Sequence, residues 1–192
     1  MGRPTKYVAK TCEHCHQTLD YAMPLDRGSA LIVLAIANAV RRKGVNRVHV
    51  VNDMEGRLSD FGVNRNQAWH RMVEEGYMTG TMRSNVARPR YHGLIAFADK
   101  RGVGTYLLTK KGASFLQNIP VPRVALIDKT TGHQAGYWDE GGMTTITQLL
   151  GGKITWNVRA TVSDLHAKLH PDQPPLPMPS PVGQEQPWYT RM

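Results

Sequence analysis

The stretch Ala30 to Val40 (ALIVLAIANAV) is apolar throughout except for Asn38, and it constrains the fold more than any other part of the chain. It is too short to cross a bilayer, which takes about 20 residues. It also lacks the setting of a signal peptide, a position at the N-terminus between a basic cap and a cleavage site. The surrounding segment, Gly28 to Lys43, reads as a helix. Ser29 is placed to cap it, Arg41, Arg42 and Lys43 sit where cations favour a helix C-terminus, and Gly44 closes it. Its apolar positions run nearly all round the axis, so the helix is expected to be buried and to form the core.

The remaining elements must enclose that helix. Asn46 to Val51 alternates β-branched residues and reads as a short strand, and Asp53 to Gly62 is turn-rich. Trp69, Met72, Val73 and Tyr77 give Asn64 to Tyr77 a helical spacing. In Thr79 to Tyr91, Pro89 leaves two readings open: a helix starting near Arg88, or a longer helix kinked at the proline. Leu94–Phe97 and Thr105–Leu108 flank a glycine-bearing basic turn and read as a hairpin. Thr109 is placed to cap a helix from Lys110 to Gln117, which Pro120 and Pro122 stop. A second hairpin is expected from Val121–Ile127 and Gln134–Trp138, followed by short helices at Thr144–Leu150 and Val162–Leu169. From Pro171 to Pro187 the chain is dense in proline and is expected to be extended and unfolded. No repeat with a period of about 20 to 50 residues is visible.

Charge narrows the functional classes. The chain carries a net +9, and the excess is local. Between Thr79 and Arg123 the cations Arg83, Arg88, Arg90, Lys100, Arg101, Lys110, Lys111 and Arg123 face a single acid, Asp99. A cluster of this kind suits a phosphate backbone. Forked donors that reach phosphates and guanine edges are present in Arg83, Arg88 and Arg90, with Ser84 and Asn85 as shorter polar partners. Lys100 and Arg101 lie at the tip of the first hairpin, where cations touch backbone or minor groove. Phosphate-loop, nucleophile-elbow and paired-histidine metalloprotease motifs are absent, so no catalytic activity is expected.

The order of elements, together with Tyr91-His92-Gly93-Leu94-Ile95 and the run Thr109, Lys111, Gly112, Phe115, Leu116, resembles winged-helix DNA-binding domains. It is similar in particular to small phage and bacterial winged-helix proteins with a cysteine-bearing N-terminus. The resemblance covers residues 28 to 127. It implies that the segment before Gly93 is the recognition helix and that the following hairpin is the wing. The expected class is α+β: a winged helix with an additional C-terminal hairpin and a disordered Pro-rich tail. The expected division is an N-terminal arm over 1–27, the winged helix over 28–127, an extension over 128–170 and the tail over 171–192.

In the arm, Cys12-Glu13-His14-Cys15-His16 crowds metal-capable side chains together. A Cys-x-x-Cys turn offers the bite that tetrahedral zinc takes. Cys12, Cys15 and His16 are the candidate ligands, and His49, His92 or a second subunit could complete the shell. The competing reading is a decayed knuckle or a plain polar arm. The function expected is DNA binding in transcription regulation, in the cytoplasm of a bacterial host, with duplex DNA and a second copy of the chain as partners and no membrane association. The alternative is a non-catalytic interaction module whose basic face docks an acidic protein such as a polymerase or a defence complex.

Overall fold

A computed structural model of the chain describes residues 7–99 and 104–151. Strand β1 (Asp20–Pro24) leads into helix α1 (Arg27–Lys43), which is followed by β2 (Val48–His49), a single 3-10 turn (Leu58–Phe61) and α2 (Arg65–Glu74). Next come α3 (Gly80–Ser84), α4 (Ala87–Tyr91), β3 (Ile95–Phe97), β4 (Thr105–Leu108) and α5 (Lys110–Leu116). The described part ends with β5 (Val121–Pro122), β6 (Val124–Asp128), β7 (Gln134–Tyr137), β8 (Met143–Thr144) and α6 (Ile146–Leu150). The architecture is α+β, with helices around small antiparallel sheets. The expected helix at 162–169 and the Pro-rich tail lie outside the described residues.

Every residue of α1 from Ser29 to Val40 is buried, as its unbroken apolar run requires. It is enclosed by α2, α3, α4, α6, β2 and β4. Among the described residues, no helix is long and apolar enough to cross a membrane. The N-cap is Asp26 rather than the expected Ser29. The Asp26 carboxylate accepts the Ser29 N–H and the Ser29 hydroxyl, both at 2.8 Å. Gly44 closes the helix in the left-handed region (φ 73°), donating its N–H to Val40.

Asn38, the polar break in the run, donates from Nδ2 to the Val73 carbonyl at 3.1 Å and so ties α1 to α2. At the end of α2, Tyr77 N–H bonds the Met72 carbonyl and Gly76 N–H bonds that of Val73, the paired pattern of a glycine-terminated helix. Gly76 has φ 78°, and a Cβ there would fall 2.4 Å from the Ala39 nitrogen. The two helices therefore meet backbone to backbone at this glycine.

Between Thr79 and Tyr91 the first of the two readings holds in part: a helix starts near Arg88, at Ala87, but a second short helix precedes it. The chain forms two five-residue helices, α3 and α4, separated at Asn85–Val86. The break places Pro89 third in α4. In a first turn the missing N–H has no intrahelical partner to lose, so the proline is accommodated without a kink.

The first hairpin forms as expected, with Ile95 opposite Leu108 and Phe97 opposite Tyr106. β2 joins it on the far side of β4, giving the order β2-β4-β3. The Asn46 side chain lengthens this ladder: its amide donates to the Leu108 carbonyl and accepts the Leu108 N–H, both at 2.9 Å. The second hairpin, β6–β7, also forms, and β1 pairs along its other edge from Asp20↔Asp128 to Pro24↔Val124. Residues read as an arm thus lie in a sheet that crosses the expected boundary at 127. β5 and β8 make a separate short pair, and α6 is capped by reciprocal bonds between Thr145 and Gln148.

Thr109 caps α5 by accepting the Gly112 N–H at 3.0 Å, while its hydroxyl donates to the Gly93 carbonyl at 2.6 Å. Gly112 then lies against the Leu94 carbonyl, where an added Cβ would come within 2.0 Å of the oxygen. This contact explains the Thr-x-Lys-Gly-x-x-Phe-Leu pattern. The threonine starts the helix, the glycine lets it touch β3, and Phe115 and Leu116 are buried in the core. We expect Gly112→Ala to destabilise the protein by about 1–3 kcal/mol in urea unfolding, the range for overpacking. Gly80→Ala, in α3 with only the Arg83 guanidinium 3.8 Å away, should be neutral or stabilising by up to about 1 kcal/mol. Equal effects at the two glycines would remove the close-approach explanation.

Candidate nucleic-acid interface

Three helix starts converge on an open groove of about 640 Å³. α1 contributes Asp26, Ser29 and Ile32, α2 contributes Arg65, Asn66 and Trp69, and the α3–α4 segment contributes Thr81, Met82, Asn85 and Arg88. Ile32 and Met82 belong to the hydrophobic core and Trp69 packs against it. The polar lining comes from Arg65, Asn66, Thr81, Asn85, Arg88 and Asp26.

The structure spreads the expected recognition residues over different environments. Arg83 pairs with Glu55 at 3.0 Å, and the guanidinium holds that carboxyl below its usual range. Arg88 pairs with Asp26 at 2.6 Å. Burial works against the Asp26 charge, yet the Ser29 N–H and hydroxyl together with Arg88 still bring its pKa down. Ser84 and Asn85 both donate to the Thr81 carbonyl, at 2.9 and 2.8 Å. Arg90 leaves the groove and lies against aromatic rings, 4.9 Å from the centre of Tyr91 and 4.7 Å from that of Phe97. Asn85 and Arg88 therefore share the groove, whereas Arg83 is held by Glu55 and Arg90 by the β3 side. Lys100 and Arg101 lie outside the described residues. At the base of their loop, Asp99 pairs with Arg47 at 3.3 Å.

A charge count over a window of sequence cannot see these pairings, because Glu55 and Asp26 lie far upstream of Arg83 and Arg88. The sequence reading also passed over Arg65 and Asn66. Arg65 is exposed and has no ion-pair partner among the described residues. One signal could have found it. Arg65 is the first residue of α2, directly after the Asn64 cap, and a cation there opposes the helix dipole. A residue that works against its own helix needs another reason to be present.

Beside the groove, Arg90, Tyr91, Phe97 and Tyr106 form a partly exposed aromatic patch. The Phe97 and Tyr106 rings are 5.2 Å apart.

Neither histidine offered as a remote metal ligand is free for that role. His92 is fully buried, with Nε2 3.0 Å from the Met23 carbonyl and Nδ1 3.3 Å from that of Pro122. Nδ1 of His49 accepts the backbone N–H groups of Val51 and Asn52. Cys12 and Cys15 are not joined in a disulfide. Among the described residues, no cluster of three or more His, Cys, Asp or Glu side chains is placed to hold a metal.

Comparison with protein-family models, with curated proteins and with solved structures found no match for this chain.

The setting of His92 gives a pH effect with a definite sign. Burial pushes its pKa down to about 4, against the two carbonyls, which favour the charged ring. An unfolded histidine titrates near 6.5, so between these values the unfolded chain holds a proton that the folded one lacks. Stability therefore falls as pH drops through this window. Urea unfolding should show a loss of about 2 kcal/mol from this group between about pH 7 and 5. His92→Gln should flatten that slope while lowering stability at pH 7. An unchanged slope in the variant would assign the acid sensitivity to other groups.

Proposed function

We propose that this chain binds duplex DNA as a winged-helix regulator of transcription. The order α1-β2-α2-α3/α4-β3-β4, with strands arranged β2-β4-β3, supports that reading. α3 and α4 stand in the recognition position and the β3–β4 hairpin stands as the wing. The observation that carries the proposal is the groove where the first turn of α2 meets α3 and α4, with Arg65, Asn66, Thr81, Asn85 and Arg88 on one opening. The major groove of B-DNA, roughly 12 Å wide, admits a helix at its floor. Arg65 and Asn66 then meet phosphates at its edge, Thr81 and Asn85 face base edges, and Lys100 and Arg101 of the hairpin loop contact the flanking backbone.

In this reading Asp26 has two roles. It caps α1, and it holds Arg88 away from any phosphate. DNA binding requires Arg88 to exchange a carboxylate for a nucleic-acid partner, and it leaves a negative charge in the interface. A second reading, docking to a protein, is favoured by the patch of Arg90, Tyr91, Phe97 and Tyr106, because arginine and aromatic residues are enriched at protein interfaces.

Fluorescence anisotropy against mixed duplex DNA over a salt series tests the proposal with substitutions of opposite sign. Arg65→Ala should weaken every duplex and flatten the plot of log K against log salt by about 0.9, the value of one phosphate contact. Asp26→Asn keeps a capping side chain of comparable quality but frees Arg88, so it should tighten binding and steepen the same plot. Absence of duplex binding by the unaltered chain at about 50 mM salt, or failure of duplex to compete with a captured protein, would move the assignment to the docking reading.

A further inference from the structure

The short hairpin carrying Cys12 and Cys15 plays no part in the DNA reading, yet its backbone is closely specified. Thr11 and Thr18 form an antiparallel bridge. Inside it, Cys12 N–H donates to Gln17 and His16 N–H donates to Cys12, both at 2.8 Å, and just outside it Leu19 N–H donates to Lys10 at 2.7 Å. His16 takes a left-handed conformation, φ 55°, which few residues with a side chain adopt. Thiolate is the form in which cysteine binds a metal. Glu13, His14, Cys15 and His16 are all exposed, so the tip of the hairpin faces solvent.

Two sulfurs three positions apart supply half of a tetrahedral shell. The other half is not found among the described residues, where no third His, Cys, Asp or Glu joins the pair. His92 is locked between two carbonyls, and Nδ1 of His49 is taken by backbone N–H groups. A second chain resolves this shortage without any new element. Two copies related by a two-fold axis place identical surfaces against each other, and the same turn presented twice gives four thiolates around one ion.

We propose that Cys12 and Cys15 form one half of a zinc site that the same pair in a second copy of the chain completes, joining two chains through their N-terminal hairpins. Each cysteine gives up its thiol proton on coordination, so four protons leave for each ion bound, and the bridge weakens as pH falls. The hairpin contributes nothing to the hydrophobic core, so the link joins two chains that are each already folded.

The test uses the whole chain, purified under reducing conditions, with Zn²⁺ alone as the probe and Co²⁺ as a spectroscopic substitute. Metal content and mass by light scattering should give one ion per two chains, with a dimer that falls to monomer when a chelator is added. The cobalt form should show the intense sulfur-to-metal absorption of a four-thiolate set. Cys12→Ser should abolish both metal and dimer and leave the thermal unfolding of the core unchanged. One ion per monomer would overturn the bridge in favour of a site closed within one chain. So would a dimer that survives chelation, or a chain that binds no metal.

Discussion

A helix without a polar face cannot rest on one side of a protein. It has to be surrounded, and the position of nearly every other element follows from how α1 is surrounded. Twelve successive residues, Ser29 to Val40, are withdrawn from water, and burying apolar area at this density is the dominant favourable term in folding. α2 is seated by two devices that act over a few ångströms: the Asn38 amide on the Val73 carbonyl, and the bare backbone of Gly76 against Ala39. α6 closes a further side with Ile146 and Leu150, both buried. The axis at the centre thereby recruits segments from both ends of the described chain.

The same helix organises the candidate interface. Its capping residue, Asp26, is also the partner of Arg88, so one carboxylate terminates the core helix and restrains a cation on the surface. Arg83 is restrained in the same way by Glu55. Cations held by nearby acids meet any phosphate with reduced net attraction, and that lowers sequence-independent binding more than binding to a site offering well-placed acceptors. In the proposed DNA reading this arrangement favours discrimination over raw affinity.

The parts of this fold that could be read in the sequence are those governed by neighbours along the chain. Thr109 announces the start of α5, Gly44 announces the end of α1, and both hairpins are visible from short strands joined by glycine-bearing turns. What escaped the reading depends on partners remote in sequence. Pro89 was recognised as a difficulty, but the break at Asn85–Val86 that resolves it comes from packing around Met82 and Val86, both buried. Sequence places Ser29 to cap α1, yet it is Asp26 that reaches both the Ser29 N–H and Arg88, which lies 62 positions further on. The cationic cluster was evident by count, whereas its neutralisation by Glu55 and Asp26 was not. Arg65 went unnoticed because a single arginine in a polar stretch has no pattern to reveal it.

The pairing of β1 with β6 has a consequence for how the chain comes to be folded. During synthesis Asp20–Pro24 emerges about a hundred residues before the strand it pairs with, and closing so long a loop carries an entropic cost that early local contacts do not offset. Until Val124–Asp128 arrives, β1 lacks the strand that it pairs with among the described residues. The contacts of α1 with α2 and β4 and of β3 with β4 need no such delay, whereas the side of α1 that α6 covers stays open until Ile146–Leu150 follows. Among the described residues the first strand thus waits to be claimed by one of the last, and a nascent chain halted before β6 lacks both this pairing and the cover that α6 gives the core.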